Sequence, residues 1–302
     1  MKTWLRRLAQ IFSPGLFSWL RAYRFRRWVR SSFGPIQRLV RERFYSRNEA
    51  PFVLTGPFQG MLYIDETVWG LVPPKWLGEY EIELTDIIEE IIHHRYSRIL
   101  NIGCAEGYYA VGLALRDRIC EIFAFDIDPI CRAQTRRLAD LNQVADRIHV
   151  RGECKHDQLS DVIKGNTLIL SDIEGDEVIL LDPAKVPALR YVDLLIEIHE
   201  QAGNGGKTDA EALIIDRFGR SHTIERRVSV SRDAWIEQHK ALWHERVSRD
   251  EIAMAVNECR PSQQTWLWAK RIAYAVTKFP HPSASGAPNE LIPGGSPNVD
   301  RQ

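Results

Sequence analysis

A regular alternation of short apolar runs and amphipathic segments constrains the fold of this chain more than any other feature. The apolar runs predict strands, and the segments between them predict helices. Strands are predicted at residues 98–102, 121–126, 147–150, 167–172 and 192–199, and helices at 108–117, 129–142 and 176–181. Strands that alternate with helices imply right-handed crossovers and a parallel sheet. We therefore predict an α/β fold with an open, mostly parallel sheet and helices on both faces.

The sequence on either side of this region adds further elements. Residues 79–95 predict a helix, because their apolar residues form one stripe and their acidic residues come early, as the helix dipole favours. Later helices are predicted at 209–215, 233–242 and 249–258, and late strands at 223–230 and 263–270. With the two late strands, the predicted sheet has seven strands.

Charge is distributed unevenly along a chain whose overall net charge is zero. Residues 1–50 contain twelve basic and two acidic residues, a net charge of +10, so the rest of the chain carries −10. Residues 1–30 predict two short helices in which Trp and Phe alternate with Arg, a composition typical of helices on an anionic bilayer surface. Docking of this segment on the acidic body or on a second subunit is the open alternative.

Composition divides the chain into four predicted segments. Residues 1–50 form a basic, amphipathic helical extension, and 51–95 form an irregular lid or linker, rich in Pro and Gly, with the leading helix. Residues 96–275 form the ligand-binding domain, and 276–302 are predicted to be disordered. The five cysteines include no C-x-x-C pair, which favours reduced thiols and a cytoplasmic location, with peripheral membrane contact through residues 1–30 left open.

The first predicted strand ends in a glycine-containing turn, Asn101-Ile102-Gly103-Cys104-Ala105-Glu106-Gly107, directly before a helix. Such a turn lets a ligand approach the backbone and the free N–H groups of the helix. The second strand ends at Asp126, where an α/β sheet binds ribose hydroxyls. The dinucleotide pattern G-x-G-x-x-G is missing, as is a phosphate-binding Gly-Lys-Ser/Thr. A cofactor with a ribose and an amino-acid carboxylate, but no phosphate, therefore fits better.

Residues 97–200, about a third of the chain, resemble class I S-adenosylmethionine-dependent methyltransferases, and more narrowly the FkbM-type family. The narrower resemblance rests on the sequence Leu170-Ser171-Asp172-Ile173-Glu174-Gly175-Asp176-Glu177 and on a fifth strand that ends in Leu195-Ile196-Glu197-Ile198-His199-Glu200. The chain departs from the family pattern at Leu170, where the family has Lys. The resemblance implies a Rossmann-like class I methyltransferase fold with S-adenosylmethionine as cofactor.

The resemblance also implies roles for single residues in cofactor binding. Gly103, Glu106 and Gly107 would line the methionine end of the cofactor, and Asp172 would lie next to the transferring methyl group. Asp126 would bind the ribose, with Ile127 packing on the adenine. Glu153 would approach the adenine amine, although an exposed loop acid is an equal alternative.

We expect the chemistry at the ends of the fourth and fifth strands. His199 is the predicted general base for a hydroxyl acceptor, and Asp172 or Glu174 would orient the acceptor or the imidazole. Asp176 and Glu177 are expected only to cap the following helix. The competing scheme is a divalent metal bound by Asp172 and a residue at the end of the fifth strand.

The function implied is O-methylation of a sugar, a glycoconjugate or another small molecule. Two alternatives from other classes stay open. One is an RNA methyltransferase that uses the basic arm, although the acidic body makes nucleic acid a poor partner. The other is a membrane-associated scaffold that keeps the fold without catalysis. Tyr80 and Glu81, at the start of the leading helix, are placed where they could close over the cofactor.

Overall fold

The computed structural model describes residues 32–199, 201–203, 206–260 and 262–272. Helix α1 covers residues 32–44. The other helices are α2 (Val72–Leu77), α3 (Thr85–His94), α4 (Tyr108–Arg116), α5 (Pro129–Leu141), α6 (His156–Val162), α7 (Glu177–Leu180), α8 (Ala210–Phe218), α9 (Asp233–Gln238), α10 (Lys240–Trp243) and α11 (Arg249–Ala255). The strands are β1 (Arg98–Ile102), β2 (Glu121–Phe125), β3 (Ile148–Arg151), β4 (Thr167–Ser171), β5 (Asp193–Glu197), β6 (Gln201–Gly203), β7 (Gly206–Thr208), β8 (His222–Val228) and β9 (Thr265–Arg271).

Seven of these strands form one sheet in the order β3-β2-β1-β4-β5-β9-β8. Strands β1 to β5 are parallel, whereas β9 runs antiparallel to both β5 and β8. The predicted seven-stranded, mostly parallel sheet is therefore confirmed. The strand order reverses at β1, between β2 and β4, and open α/β sheets bind ligands outside the carboxyl ends of the strands at such a point.

Helices cover both faces of the sheet, because the central strands are apolar on both sides. On one face, side chains such as Ile99 and Leu168 pack with residues of α1, α3, α4, α5, α9 and α11. On the other face, Leu100 and Ile169 pack with residues of α6 and α8. The alternation of strand side chains between the two faces thus produces two apolar layers, as expected for a buried parallel sheet.

Residues 51–78 form part of the core, so their interpretation as a lid or linker is wrong. Val53, Met61, Tyr63 and Trp76 are all buried in the same layer as α3 and α4. Two of its glycines, Gly56 and Gly78, allow a close approach of two backbone stretches. At Gly78, which has a φ of +82°, a Cβ atom would lie 1.9 Å from the carbonyl oxygen of Thr55. The segment is therefore a packed layer of the domain that carries the sheet.

The two ends of the chain extend beyond the described residues. Residues 1–31, including the predicted membrane-contact segment 1–30, lie outside them, as does the predicted tail 276–302. Within the predicted 1–50 arm, α1 buries Ile36, Val40 and Phe44 in the core, so this part belongs to the domain body. Among the described residues, no helix is both long enough and apolar enough to cross a membrane.

The leading helix begins later than predicted. Residues 79–81 are not helical, a single 3₁₀ turn covers Ile82–Leu84, and the α-helix starts at Thr85. Of the early acidic residues, Asp86 lies in the first turn of the α-helix, whereas Glu79 and Glu83 precede it and form ion pairs with Arg232 at 2.8 and 2.7 Å. Tertiary ion pairs therefore determine the backbone of this segment.

Candidate active site

A narrow cleft opens at the carboxyl ends of β1, β4 and β5, at the point where the strand order reverses. One wall is the turn between β1 and α4, and the floor includes Ser171 and Asp172 at the end of β4. The opposite wall comes from the core segment before α3, which contributes Lys75, Tyr80 and Glu81. Three separate parts of the sequence thus meet around one groove.

Gly103 is the point where the β1–α4 turn touches the end of β4. Its φ is +80°, and a Cβ atom there would lie 1.7 Å from the carbonyl oxygen of Asp172. Only glycine can adopt this backbone conformation at so short a distance without strain. The Asp172 backbone N–H also donates to the Ile102 carbonyl at 2.9 Å. Gly103 therefore fixes Asp172 beside the turn that the sequence predicted to bind the cofactor.

Asp126 holds the glycine turn in place. Its two carboxylate oxygens accept hydrogen bonds from the backbone N–H groups of Ala105 at 2.9 Å and Asp128 at 2.7 Å. Burial raises the pKa of Asp126 to about 6, although these two bonds favour the ionised form. Each oxygen keeps a second lone pair, so the carboxylate can still accept from a ligand hydroxyl.

Two of the other predicted cofactor residues lie on the solvent side of the β2–β3 region. Ile127 is 72% exposed, which leaves an apolar surface that a flat ring could cover. Glu153 is also exposed and forms an ion pair with Lys155 at 3.3 Å. Gly107 precedes α4 and packs against Thr135 rather than lining the cleft.

Glu106 is fully buried and reaches into the cleft. It forms an ion pair with Lys75 and accepts a hydrogen bond from the Tyr63 hydroxyl at 2.5 Å. Its other carboxylate oxygen, Oε2, accepts no hydrogen bond from the described residues, and the same is true of Asn101 Oδ1 and Ser171 Oγ. Buried polar atoms in native proteins are nearly always paired. Three unpaired atoms on one cleft therefore indicate a polar ligand.

His199 lies just beyond the end of β5, and its imidazole is held by a residue whose role the sequence did not reveal. Nδ1 lies 3.1 Å from Glu177 Oε1, and Nε2 lies 3.7 Å from both Asp172 Oδ1 and Glu197 Oε1. Glu177 is almost fully buried and also accepts from the backbone N–H groups of Ile173 and Gly175 at 2.9 and 3.0 Å. The expectation that Glu177 only caps α7 is therefore wrong, because its carboxylate orients the histidine.

The titrating groups of this cluster influence one another. Burial opposes a charge on the imidazole, but the hydrogen bond to Glu177 and the charge of Asp172 outweigh it and raise the pKa of His199. Partial desolvation beside the cleft and the Glu81 carboxylate raise the pKa of Asp172. The pKa of Glu197 is also raised, by burial and by Asp172. Each of the three groups therefore favours its protonated form more than it would in water.

Arg260 balances the charges of two carboxylates that line the cleft, Glu81 and Glu197. Its guanidinium donates to Glu81, to Glu197 at 2.9 Å and to Glu258 at 2.7 Å. Glu81 also accepts from the Tyr109 hydroxyl. Arg260 was missed in the sequence because nothing local marks it, whereas the expectation that Tyr80 and Glu81 lie over the cleft agrees with their position in its wall.

Three of the six non-glycine residues with positive φ among the described residues lie in or beside the cleft. Glu81, Ala105 and Glu174 have φ values of +50°, +47° and +58°. Such conformations are unfavourable for residues with a side chain and occur preferentially at functional sites. Glu174 is exposed, and one carboxylate oxygen each of Glu174 and Asp172 lies within 4.8 Å of a ring nitrogen of His199. These three positive-φ residues thus lie in or beside the cleft, and Glu174 is itself part of the cluster around His199.

Comparisons with known proteins found similar solved structures but no matching family. No family model and no curated protein matches the chain. The solved structures that it resembles include the Streptomyces achromogenes O-methyltransferase TomG in complex with SAM, at 11% identity and a TM-score of 0.41, over 64% of this chain and 81% of that one. They also include a human methyltransferase 10 domain containing protein, at 13% identity and a TM-score of 0.42, over 78% and 94%. At these identities and TM-scores, the activities of those proteins do not identify the activity of this chain.

Proposed function

We propose that this protein is an S-adenosylmethionine-dependent methyltransferase that methylates a hydroxyl of a sugar, a glycoconjugate or another small molecule. The observation that carries the proposal is the His199 imidazole, oriented by Glu177 and facing Asp172 at the edge of a cleft bounded by a glycine turn. The FkbM-type resemblance of residues 170–177 and 195–200 supports a hydroxylated acceptor.

The residues of the cleft fit the chemical groups of this cofactor. The free lone pairs of Asp126 suit ribose hydroxyls, and exposed Ile127 suits the adenine ring. The unpaired oxygens of Glu106 and Asn101 suit an ammonium group. When bound, the cofactor would supply an electrophilic methyl group beside Asp172. The role of Glu153 at the adenine stays a proposal.

His199 would do the proton chemistry of the transfer. Because Glu177 is an acceptor for Nδ1–H, the neutral imidazole presents Nε2 as a base. Nε2 would take the proton of the acceptor hydroxyl. At the same time the hydroxyl oxygen would form the new O–CH₃ bond, and the S–CH₃ bond would break. Asp172 or Glu174 would stabilise the resulting imidazolium or orient the acceptor. The chain's other contribution is to hold the reacting atoms in line and to exclude water.

The proposal is tested by transfer of a labelled methyl group with and without chelator. The acceptors are a panel of monosaccharides and nucleoside-linked sugars. Because His199 can act as a base without a metal, we expect EDTA to leave methyl transfer unchanged. A divalent ion on Asp172, Glu174 and His199 is the second candidate, since their ligand atoms lie within 4.8 Å of one another. Loss of transfer with EDTA and its recovery with Mg²⁺ would establish that scheme instead.

Asp126→Ala is expected to weaken binding of S-adenosylhomocysteine by about 1–3 kcal/mol, because ribose hydroxyls and the Ala105 N–H would lose their acceptor. Titration calorimetry measures the change, and Asp146→Ala, an exposed acid on the loop before β3, is the matched control. Equal affinity of wild type and Asp126→Ala would contradict the ribose assignment. If folded wild-type protein gives no heat of binding with S-adenosylmethionine or with S-adenosylhomocysteine, the proposed function is contradicted.

The two alternative functions predict different experimental results. An RNA methyltransferase would retain RNA in a salt-dependent manner. A scaffold without catalysis would give no methyl transfer to any acceptor. Peripheral membrane contact through residues 1–30 is a separate proposal, which rests on the clustered Arg and Trp of that segment.

A further inference from the structure

Strands β8 and β9 are neighbours in the sheet, yet a long stretch of chain connects them. They pair antiparallel, with Val228 opposite Thr265. Antiparallel neighbours can be joined by a turn of about two residues. Here residues 229–264 connect them and contain α9, α10 and α11. This helical insertion is therefore not required to close the sheet, which indicates another role.

A cavity of about 380 Å³ lies within the helical insertion. Cavities that bind small molecules are typically ~300–1,000 Å³ in volume. The lining combines apolar side chains, such as Ile236 of α9 and Ala253 of α11, with uncharged polar side chains, such as Ser231, Asn257 and Gln263. Hydroxyl and amide groups both donate and accept hydrogen bonds. The cavity therefore offers a small molecule both apolar contact and hydrogen bonds.

The cavity lies at the same edge of the sheet as His199. The first residue of β9 pairs with Val228, the last residue of β8, and the second pairs with Glu197, the last residue of β5. The helical insertion therefore starts and ends at the edge where β5 ends. Arg260 lines the cavity and donates to Glu81 and, at 2.9 Å, to Glu197, both of which line the cleft. One side chain thus borders the cavity and pairs with the acids of the candidate active site.

The positive charges in the lining of the cavity are already neutralised. Arg232 and Arg260 are the two cations among the described residues of this lining. Five carboxylates pair with the two guanidinium groups, and they belong to Glu79, Glu81, Glu83, Glu197 and Glu258. Burial raises the pKa of Glu79, Glu83 and Glu197. Even with those three protonated, Glu81 and Glu258 balance both guanidinium groups, so an anionic ligand would find no free cation in this lining.

We propose that the cavity binds an uncharged, hydroxylated unit of the methyl acceptor, such as a sugar ring, away from the hydroxyl that is methylated. The hydroxyls of such a unit suit the serine and amide side chains of the lining, and its C–H groups suit Ile236 and Ala253. A phosphate or carboxylate group is excluded because both guanidinium groups of the lining are paired. The inference rests on the proposed function, since only that function makes the ligand a methyl acceptor.

The first test measures binding of uncharged and anionic sugars to the unmodified protein without cofactor. The uncharged probes are methyl glycosides of common hexoses and maltose, and the anionic probes are the matching uronic acid glycosides and hexose phosphates. Saturation-transfer NMR detects binding, and competition titrations give relative affinities. We expect uncharged glycosides to bind, and their anionic counterparts to bind at least ~10-fold more weakly, because the nearby carboxylates repel an anion. Equal binding of both classes, or binding of no probe, overturns the inference.

The second test fills the cavity by substitution. Ala253→Phe places a large side chain in the lining, and Met254→Phe, at the exposed next position of α11, is the matched control. We expect Ala253→Phe to weaken binding of the uncharged glycosides at least ~10-fold, a loss of about 1.4 kcal/mol, and to leave binding of S-adenosylhomocysteine unchanged. In the methyl-transfer assay it should raise the KM of a glycoside acceptor by a similar factor. Met254→Phe should behave as wild type in all three measurements.

A milder variant decides the question if Ala253→Phe does not fold. Gln263→Ala removes one amide group from an exposed position of the lining, and Gln238→Ala, at the exposed end of α9, is its control. We expect Gln263→Ala to weaken glycoside binding ~3–10-fold, as loss of one hydrogen bond would, and to leave cofactor binding unchanged.

Failure of the inference and failure of the proposed function give different results. Unchanged glycoside affinity in both Ala253→Phe and Gln263→Ala, with methyl transfer intact, overturns the inference alone. An unchanged KM of the glycoside acceptor in Ala253→Phe overturns the assignment of the cavity to the acceptor. If wild type binds glycosides, Ala253→Phe does not, and neither form of the cofactor binds, the proposed function is overturned and the cavity stands as a sugar-binding site.

Discussion

His199→Ala is expected to lower the turnover of methyl transfer ~10²–10⁴-fold while cofactor affinity is unchanged, because the variant lacks the base that receives the hydroxyl proton. Single-turnover transfer of a labelled methyl group measures the first quantity and calorimetry measures the second. His244→Ala, a half-exposed histidine after α10, is the matched control. Near-normal turnover of His199→Ala at pH 7, together with insensitivity to EDTA, would show that the base lies elsewhere.

The role of His199 as a base also predicts how turnover depends on pH. Only the neutral imidazole can act as a base, and the pKa of His199 is raised by Glu177 and Asp172. Turnover should therefore rise with pH, with a midpoint above the ordinary histidine value of about 6.5. In Asp172→Asn, loss of the neighbouring negative charge should move this midpoint to lower pH. A midpoint that does not move would mean that Asp172 does not act on His199.

Gly103→Ala is expected to lower the free energy of unfolding by about 2 kcal/mol or more and to abolish cofactor binding. The new Cβ atom would lie 1.7 Å from the Asp172 carbonyl oxygen at a φ of +80°, so the turn and the end of β4 must separate. Urea unfolding and calorimetry with S-adenosylhomocysteine measure the two effects.

The control for this variant is Gly34→Ala in α1, where a Cβ atom would meet nothing within 4 Å. Alanine has the higher helix propensity, so this substitution should be neutral or slightly stabilising. Wild-type stability and affinity in Gly103→Ala would contradict the close contact between the turn and β4.

The sheet and its glycine turn could be predicted from the sequence because both depend on local pattern. Short continuous apolar runs between helical segments indicate buried strands, and a glycine at a strand end marks a backbone that must pass close to another. Hence β1 to β5 and Gly103 lie where expected, and the ends of β4 and β5 bring Asp172 and His199 together as a parallel sheet requires. The strand limits differ from the prediction by one or two residues at β2, β3, β4 and β5.

The partners of the charged groups could not be predicted, because they are distant in the sequence. Glu106 pairs with Lys75 across 31 residues, His199 with Glu177 across 22, and Glu81 with Arg260 across 179. A run such as Val72-Pro-Pro-Lys-Trp-Leu77 shows a lysine among apolar residues but not what neutralises it.

The sequence by itself determined the order of strands and helices, the place of the ligand cleft and the glycine that shapes it. Only the tertiary structure decided that Lys75, from the packed segment 51–78, lines that cleft and that Glu177 orients His199. It also decided that Lys75 and Arg260 are the cations facing the buried acids. The physical reason is that apolar periodicity acts within one element, whereas a buried charge is stabilised only by a partner that folding brings to it.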